Sequence, residues 1–329
     1  MTVPRKKVSQ PKKSEIRSKR NRTDEHQAVF DTADHGAAKV GLKPTSTWHR
    51  RNFLTEVLIP SLFTRRTKSQ RESSPLPKLE NQQIAITWIG HASFLLQMGG
   101  KNILVDPNWA LWLKVIKRIK QPGMHLHDLP NIDLVLVTHA HFDHLDRRTL
   151  RSVAAEQPIM VPFGVGDLVH DLGFQIVHEL DYWQTETEGP LEVTLTPAHH
   201  WGARMLHDSH RGFGGFVIKS AGRSVFHCGD TAYFDGFEEI GRRCGVEIAL
   251  LPIGAYDPPS GREVHMNPEQ AVKAFLALGA QCLIPMHYGT FRLSFEPVEE
   301  PLQRLMMDAI KSGVGDKVAV LNEGLTVVF

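Results

Sequence analysis

Cysteine is scarce in this chain. Only Cys228, Cys244 and Cys282 occur among 329 residues, and no two stand in a C-x-x-C pair. An odd, scattered set excludes a disulfide framework and fits free thiols in a reducing compartment. Long apolar runs are missing as well. Nothing reaches the roughly 18 residues of a membrane span, and no apolar stretch marks an N-terminal secretory signal. The expected location is therefore cytoplasmic. No Ser-His-Asp arrangement and no Gly-rich phosphate loop stands out, so nucleophile-elbow and P-loop chemistries have no foothold. No repeat of about 20–50 residues is evident either.

What is present begins with histidine. There are 18, several in tight clusters, in a chain otherwise composed like an ordinary globular protein, with 41% hydrophobic and 22% charged residues. Charge is unevenly spread. Residues 1–80 carry 18 Lys and Arg against 8 Asp and Glu, a net of +10; the remainder carries 20 against 28, a net of −8. The chain divides on that basis into a basic N-terminal extension, 1–80, and a body, 81–329. Residues 1–45 read as a solvated, disordered tail, with an anionic-membrane or nucleic-acid tether as the sharper alternative. In 52–64, Phe53, Leu54, Val57, Leu58, Leu62 and Phe63 can line one face of a short helix interrupted at Pro60. That helix would dock on the body or lie at a membrane surface. Residues 67–79 read as a linker.

The body reads as strands alternating with helices, hence α/β. Strands are expected at 84–89, 93–98 and 101–105, the last two joined by the turn Gly99-Gly100. The segment Trp109–Lys120 has Trp109, Trp112, Leu113 and Ile116 at i, i+3, i+4, i+7 with lysines between them. That spacing predicts a basic amphipathic helix, packed on the body or lying at an interface. Further strands are expected at 132–137, 158–165, 175–180, 191–195, 213–220, 223–227, 247–252, 282–286, 318–321 and 325–329. Helices are expected at 147–156, 166–172, 237–245, from Asn267-Pro268 onward, and at 298–311.

The chain is organised around Val137–Asp146, V-T-H-A-H-F-D-H-L-D, which follows the strand I-D-L-V-L-V. His139, His141, Asp143 and His144 fall within six residues. Polar rings and charges at that density need a partner, and a metal ion is the simplest one. Three later stretches repeat the pattern of an apolar strand followed at once by His or Asp: His199-His200-Trp201, Asp230 in F-H-C-G-D-T, and His287 in I-P-M-H-Y-G-T. Imidazoles and carboxylates without cysteine favour Zn²⁺ first, with Mn²⁺ or Fe²⁺ as alternatives.

The motif T-H-A-H-F-D-H-L-D resembles the H-x-H-x-D-H signature of the metallo-β-lactamase superfamily. The similarity is closest to the branch containing the N-acyl-phosphatidylethanolamine-hydrolysing phospholipase D. It is supported by T-W-I-G-H-A-S, V-D-P, L-T-P-A-H-H-W, E-E-I-G-R-R, P-I-G-A-Y-D-P and H-Y-G-T-F, over about residues 82–292. The resemblance implies an αββα sandwich with two divalent metal ions at one end of its sheets. His139, His141 and His200 would bind the first, Asp143, His144 and His287 the second, and Asp230 would bridge. Asp143 would also orient the nucleophile, and His265 would stand beside the substrate. Asp106, and with it His91 and Tyr288, would support the ligands. Two such ions activate a shared water as hydroxide and hold the substrate's oxygens. The implied activity is that of a phosphodiesterase of the phospholipase D type on N-acyl-phosphatidylethanolamine-like lipids. A lactonase, a soluble phosphoester hydrolase and a non-catalytic metal-binding protein are the alternatives. Trp109 and Trp112 are candidates for meeting substrate or the inner membrane surface. Nucleic acid is disfavoured as a partner, and a second copy of the chain remains open.

Overall fold

Strand β1 (Ala85–Gly90), β2 (Ser93–Met98) and β3 (Lys101–Val105) form the expected meander. The computed structural model describes residues 51–68, 76–80, 82–205, 208–261 and 263–329. The expected tail over 1–45 and most of the linker over 67–79 lie outside the described residues. The chain continues through the hairpin β4 (Trp112–Leu113) and β5 (Ile116–Lys117), then β6 (Leu134–Leu136), helix α2 (Arg147–Val153), β7 (Ile159–Pro162) and β8 (Val177–Leu180). There follow β9 (Thr185–Glu188), β10 (Leu191–Thr196), β11 (Gly215–Ser220), β12 (Arg223–His227), α3 (Gly236–Cys244) and β13 (Ile248–Pro252). Last come α4 (Pro268–Leu278), β14 (Cys282–Met286), α5 (Glu300–Lys311) and β15 (Thr326–Val328).

The strands form two sheets. One runs β15-β1-β2-β3-β6-β7-β8, the other β14-β13-β12-β11-β10-β9. Side-chain alternation along each strand assigns the layers. Phe94, Leu96, Ile103 and Val105 share a core with Val193, Leu195 and Phe216 of the facing sheet. Leu95 and Leu104 point the other way and pack with Leu150 of α2. On the far side α4 packs on β13 with α3 and α5 beside it. This is the αββα sandwich that the resemblance implies. The parallel runs β3-β6 and β12-β13-β14 bring the C-terminal ends of several strands to one edge. Loops carrying Asp106, the 138–146 stretch, Asp230 and His287 leave from that edge.

Several expectations need correction. Trp109–Lys120 is no helix. It is a hairpin whose two-residue turn is Lys114-Val115, with Lys114 at φ +54°. Non-local pairing overrides the helical spacing: Ile119 N–H donates to Thr290 O, Thr67 N–H to Ile119 O, and Arg118 N–H to Leu111 O. Trp109 is half-buried and packs on the cluster between the first sheet and α2, its indole donating to Met124 O at 2.7 Å. Its indole N–H is thus taken up within the protein, whereas Trp112 is 47% exposed. The helix near Pro60 is not interrupted. A single π turn, Leu54–Leu58, precedes α1 (Ile59–Phe63) and places Pro60 in its first turn. The wider turn absorbs the missing N–H of proline. Val318–Leu321 makes one bridge to Leu283 rather than a strand. The polar T-E-T-E of β9 reads poorly as a strand and is an edge strand. Among the described residues no helix is long and apolar enough to cross a membrane.

Candidate metal centre

The first ligand loop is pinned at both ends. It leaves β6 at Thr138, and Asp146 ends it by capping α2, its carboxylate accepting from the N–H groups of Arg148 and Thr149 at 3.3 and 3.2 Å. Asp106, completely buried at the end of β3, braces it at Thr138 and His144. One oxygen accepts from Thr138 N–H at 2.7 Å; the other contacts Thr138 Oγ1 and His144 Nδ1, both at 2.7 Å. A carboxylate can only accept, so His144 Nδ1 carries the proton and Nε2 is left to face the centre. Asn108, two residues on, donates Nδ2 to Asp143 O at 2.8 Å and Phe142 O at 3.1 Å.

The second sheet supplies the rest. His200, after β10, donates Nδ1 to Val264 O at 3.0 Å and so turns Nε2 inward. Asp230 follows β12 across Gly229, whose φ is +65° and where a Cβ would lie 2.7 Å from Gly214 O. His287 follows β14. His91, Asp106 and His287 all have positive φ, at 59°, 44° and 62°. Such backbone costs on the order of 1 kcal/mol per residue in a non-glycine and tends to collect at functional sites.

These loops converge on Asp230. Its Oδ2 lies 3.1 Å from the Nε2 atoms of His144 and His287, 3.8 Å from His139 Nε2, 3.9 Å from His200 Nε2 and 3.8 Å from His265 Nδ1. Asp143 Oδ2 lies 3.0 Å from His91 Nε2 and 3.5 Å from His287 Nε2. Two donor groups result, each with ligand atoms within 4.8 Å: His139, His141, His200 and Asp230 in one, His91, Asp143, His144 and His287 in the other. A third, Asp230, His265 and His287, overlaps them.

Burial sets the protonation. It pushes His91 down to about 3, and His141 and His265 to about 4, and holds His139 and His200 well below the ordinary imidazole range. Burial alone would lower His144 and His287 too, but Asp230 and its neighbouring carboxylates outweigh it. His144 is raised well above its ordinary value and His287 to about 9. Burial alone would raise Asp143 and Asp230, yet the surrounding imidazoles, His144 first, hold both carboxyls far down. The centre thus offers two carboxylates and several neutral imidazoles, and it draws positive charge. His141 Nε2, His144 Nε2, His287 Nε2 and Asp230 Oδ1 are buried without a hydrogen-bond partner. Orphaned atoms aimed at a shared centre fit divalent cations, the hard-to-borderline kind that N and O donors select.

The placement of the sequence candidates is mostly convergent. His200 is buried in the cluster, whereas His199 is exposed and offers its backbone N–H to Thr231 Oγ1. Tyr288 turns into the core, stacked on Trp88 at 5.1 Å. Sequence reasoning missed Thr138, Asn108 and Arg204. Thr138 stands directly before the first ligand, and its Oγ1 also lies 3.0 Å from His139 Nδ1. Arg204, four residues beyond His200, donates Nη1 to Ala140 O at 2.7 Å and Leu145 O at 2.9 Å, with its guanidinium over the Phe142 ring. An Arg four residues after a candidate ligand was the available signal.

Comparison with known proteins agrees with this geometry. Residues 101–288 match the model of the Beta-lactamase superfamily domain. An uncharacterised protein of Mycobacterium tuberculosis is 32% identical over 292 residues, covering 83% of this chain and 78% of its own. N-acyl-phosphatidylethanolamine-hydrolyzing phospholipase D 1 of Caenorhabditis elegans is 32% identical, covering 68% of this chain and 69% of its own. A solved structure, the metallo hydrolase Igni18 of Ignicoccus hospitalis, superposes with a TM-score of 0.58 at 26% identity, over 75% of this chain and 99% of that one. The chain belongs to the metallo-β-lactamase superfamily. Within it, the chain is a metal-dependent hydrolase.

Proposed function

We propose that this hydrolase is a phosphodiesterase of the phospholipase D type, acting on N-acyl-phosphatidylethanolamine-like lipids. The observation that carries the reading is the pair of donor groups either side of Asp230, in a chain resembling a phospholipase over two thirds of each sequence. His139, His141 and His200 would hold one ion and Asp143, His144 and His287 the other, with Asp230 available to both; Zn²⁺ would suit the donors best. Paired ions supply a nucleophile at neutral pH and neutralise charge on the phosphoryl oxygens.

The chain's own groups do the rest. Asp106 fixes the ring of His144 and, through Thr138, the start of the loop. Asp143 is the more open of the two central carboxylates, 13% exposed against 1% for Asp230, and its free oxygen orients the attacking water. His91 holds the other oxygen from behind. His265, neutral and 13% exposed, presents a ring to the substrate side. Water oxygen bonds to phosphorus as the P–O bond to the N-acylethanolamine breaks. The water proton ends on that alcohol, and phosphatidate remains. A panel of N-acyl-phosphatidylethanolamine, bis(4-nitrophenyl) phosphate, phosphomonoesters and lactones, with Asp143→Asn as control, tests this. Diester turnover lost in the control is expected. Turnover of lactones or monoesters alone would reassign the substrate, and metal uptake without any turnover would make the chain a binding protein.

A further inference from the structure

The hairpin β4–β5 and α1 lie side by side. Lys117 Nζ donates to Leu62 O at 3.1 Å and Thr64 O at 2.8 Å, and Arg66 Nη2 donates to Leu111 O at 3.1 Å. Together they expose an apolar group: Phe63 at 82%, Val115 at 61%, Trp112 at 47%, Leu111 at 43% and Leu62 at 41%. Large apolar side chains grouped this way on a surface mark an interaction site rather than chance exposure. The charge these two segments carry is mostly of one sign. Residues 51–68 and 109–120 contain eight Lys and Arg and a single acid, Glu56; Arg51 pairs with Glu56 and Asp257, Lys120 pairs with Glu323 and Arg118 is buried, which leaves Arg65, Arg66, Lys68, Lys114 and Lys117. Arg65 and Lys68, two and five residues beyond Phe63, stand exposed.

The same hairpin reaches the metal centre. Lys114 Nζ sits 4.0 Å over the ring of Phe142, inside the H-x-H-x-D-H loop. The buried Arg118 donates Nη1 to Asn108 O at 3.1 Å, and Asn108 holds Asp143 O. From these contacts we infer that Leu62, Phe63, Leu111, Trp112 and Val115, ringed by Arg65, Lys68 and Lys114, form a docking face for an anionic lipid surface that delivers head groups to the adjacent centre. Aromatic and aliphatic side chains enter the interfacial layer while the cations meet lipid phosphates. The basic N-terminal residues 1–50, twelve Lys and Arg against five acids, would be repelled from this face. A lipid surface is also the occupant that the metal centre can use. The inference rests on the phosphodiesterase reading for its purpose but not for its test.

The experiment is vesicle co-sedimentation of the full chain, in parallel with turnover of soluble bis(4-nitrophenyl) phosphate. Vesicles are phosphatidylcholine alone, or phosphatidylcholine mixed with phosphatidylglycerol. Binding is expected to the mixed vesicles, to weaken with salt, and to fall about tenfold or more in Phe63→Ser/Val115→Ser. Arg65→Ser/Lys68→Ser should bind less in low salt and equally in high salt. Both variants should keep soluble-diester turnover and the wild-type melting temperature. Wild-type binding no greater to anionic vesicles, or unchanged in Phe63→Ser/Val115→Ser, overturns the inference. So does a wild-type dimer that the same variant makes monomeric, since the face would then join two copies. Loss of diester turnover in the wild type would instead count against the phosphodiesterase reading.

Discussion

At the scale of single residues, the centre depends on groups that would never touch a substrate. Asp106 is the clearest. It is fully buried, and its two oxygens satisfy one backbone N–H, one hydroxyl and one imidazole. Asp106→Ala should lower metal affinity by about 10- to 100-fold, the usual cost of losing a partner that orients a ligand. Competition for the ion against a chromophoric chelator measures it without reference to activity. Arg204 is a second positioning residue. It ties Ala140 O and Leu145 O, both ends of the ligand loop, to the loop that carries His200. Arg204→Met should weaken metal binding, and Arg204→Lys should restore only part of it, since one ammonium cannot reproduce two directed N–H donors from a planar fork. Equal affinity in both variants would show that the loop holds itself. The candidate ligands His139, His141, Asp143 and His144 were legible because they come as a dense motif. Thr138, Asn108 and Arg204 were not, because a hydrogen-bonding side chain one to four residues from a candidate ligand or from Asp106 looks like any polar residue until the loops are seen together.

At the scale of elements, strands were easier to read than the connections between them. Apolar runs closed by Pro, Gly or Asp marked β1, β2, β3, β12, β13 and β14 to within a residue or two. The helix beginning at Asn267-Pro268 was equally clear, and it carries a full capping box in which Asn267 and Gln270 satisfy each other's backbone N–H. Asn267→Ala should cost about 1 kcal/mol, read from denaturant unfolding. The hairpin β4–β5 was illegible because its conformation is fixed by partners far away in sequence, Thr67 and Thr290. Beside α4, Arg304 reaches both oxygens of Glu269 at 2.9 and 2.7 Å, and this hydrogen bonding holds Glu269 below its ordinary 4.5. A depressed carboxyl stabilises the fold above its unfolded value and loses that contribution as pH falls through the folded one. Arg304→Met should therefore lower stability near neutral pH and converge with wild type in acid. The pair is more than a third exposed, so the difference should not exceed about 1 kcal/mol.

At the scale of the whole molecule, two sheets meet at one edge, and neither holds a complete centre. The first sheet supplies His139, His141, Asp143 and His144; the second supplies His200, Asp230 and His287. Ions held between them would bind the native arrangement and not the unfolded chain. Chelation should thus lower the melting temperature, and added Zn²⁺ or Mn²⁺ should restore it, with about 3–4 kcal/mol at stake at a hundred- to thousandfold excess over Kd. The sandwich was predictable from strand-helix alternation together with the motif. How its loops close over each other was not, since that depends on buried contacts such as Asp230 with five imidazoles from four separate stretches of chain.

The central claim, a paired-ion phosphodiesterase centre, is tested most directly by adding Zn²⁺ in steps to the metal-free protein while following bis(4-nitrophenyl) phosphate hydrolysis. Activity should rise only with the second equivalent and stay absent in Asp143→Asn at any metal level. Full activity at one equivalent, or in Asp143→Asn, would contradict it.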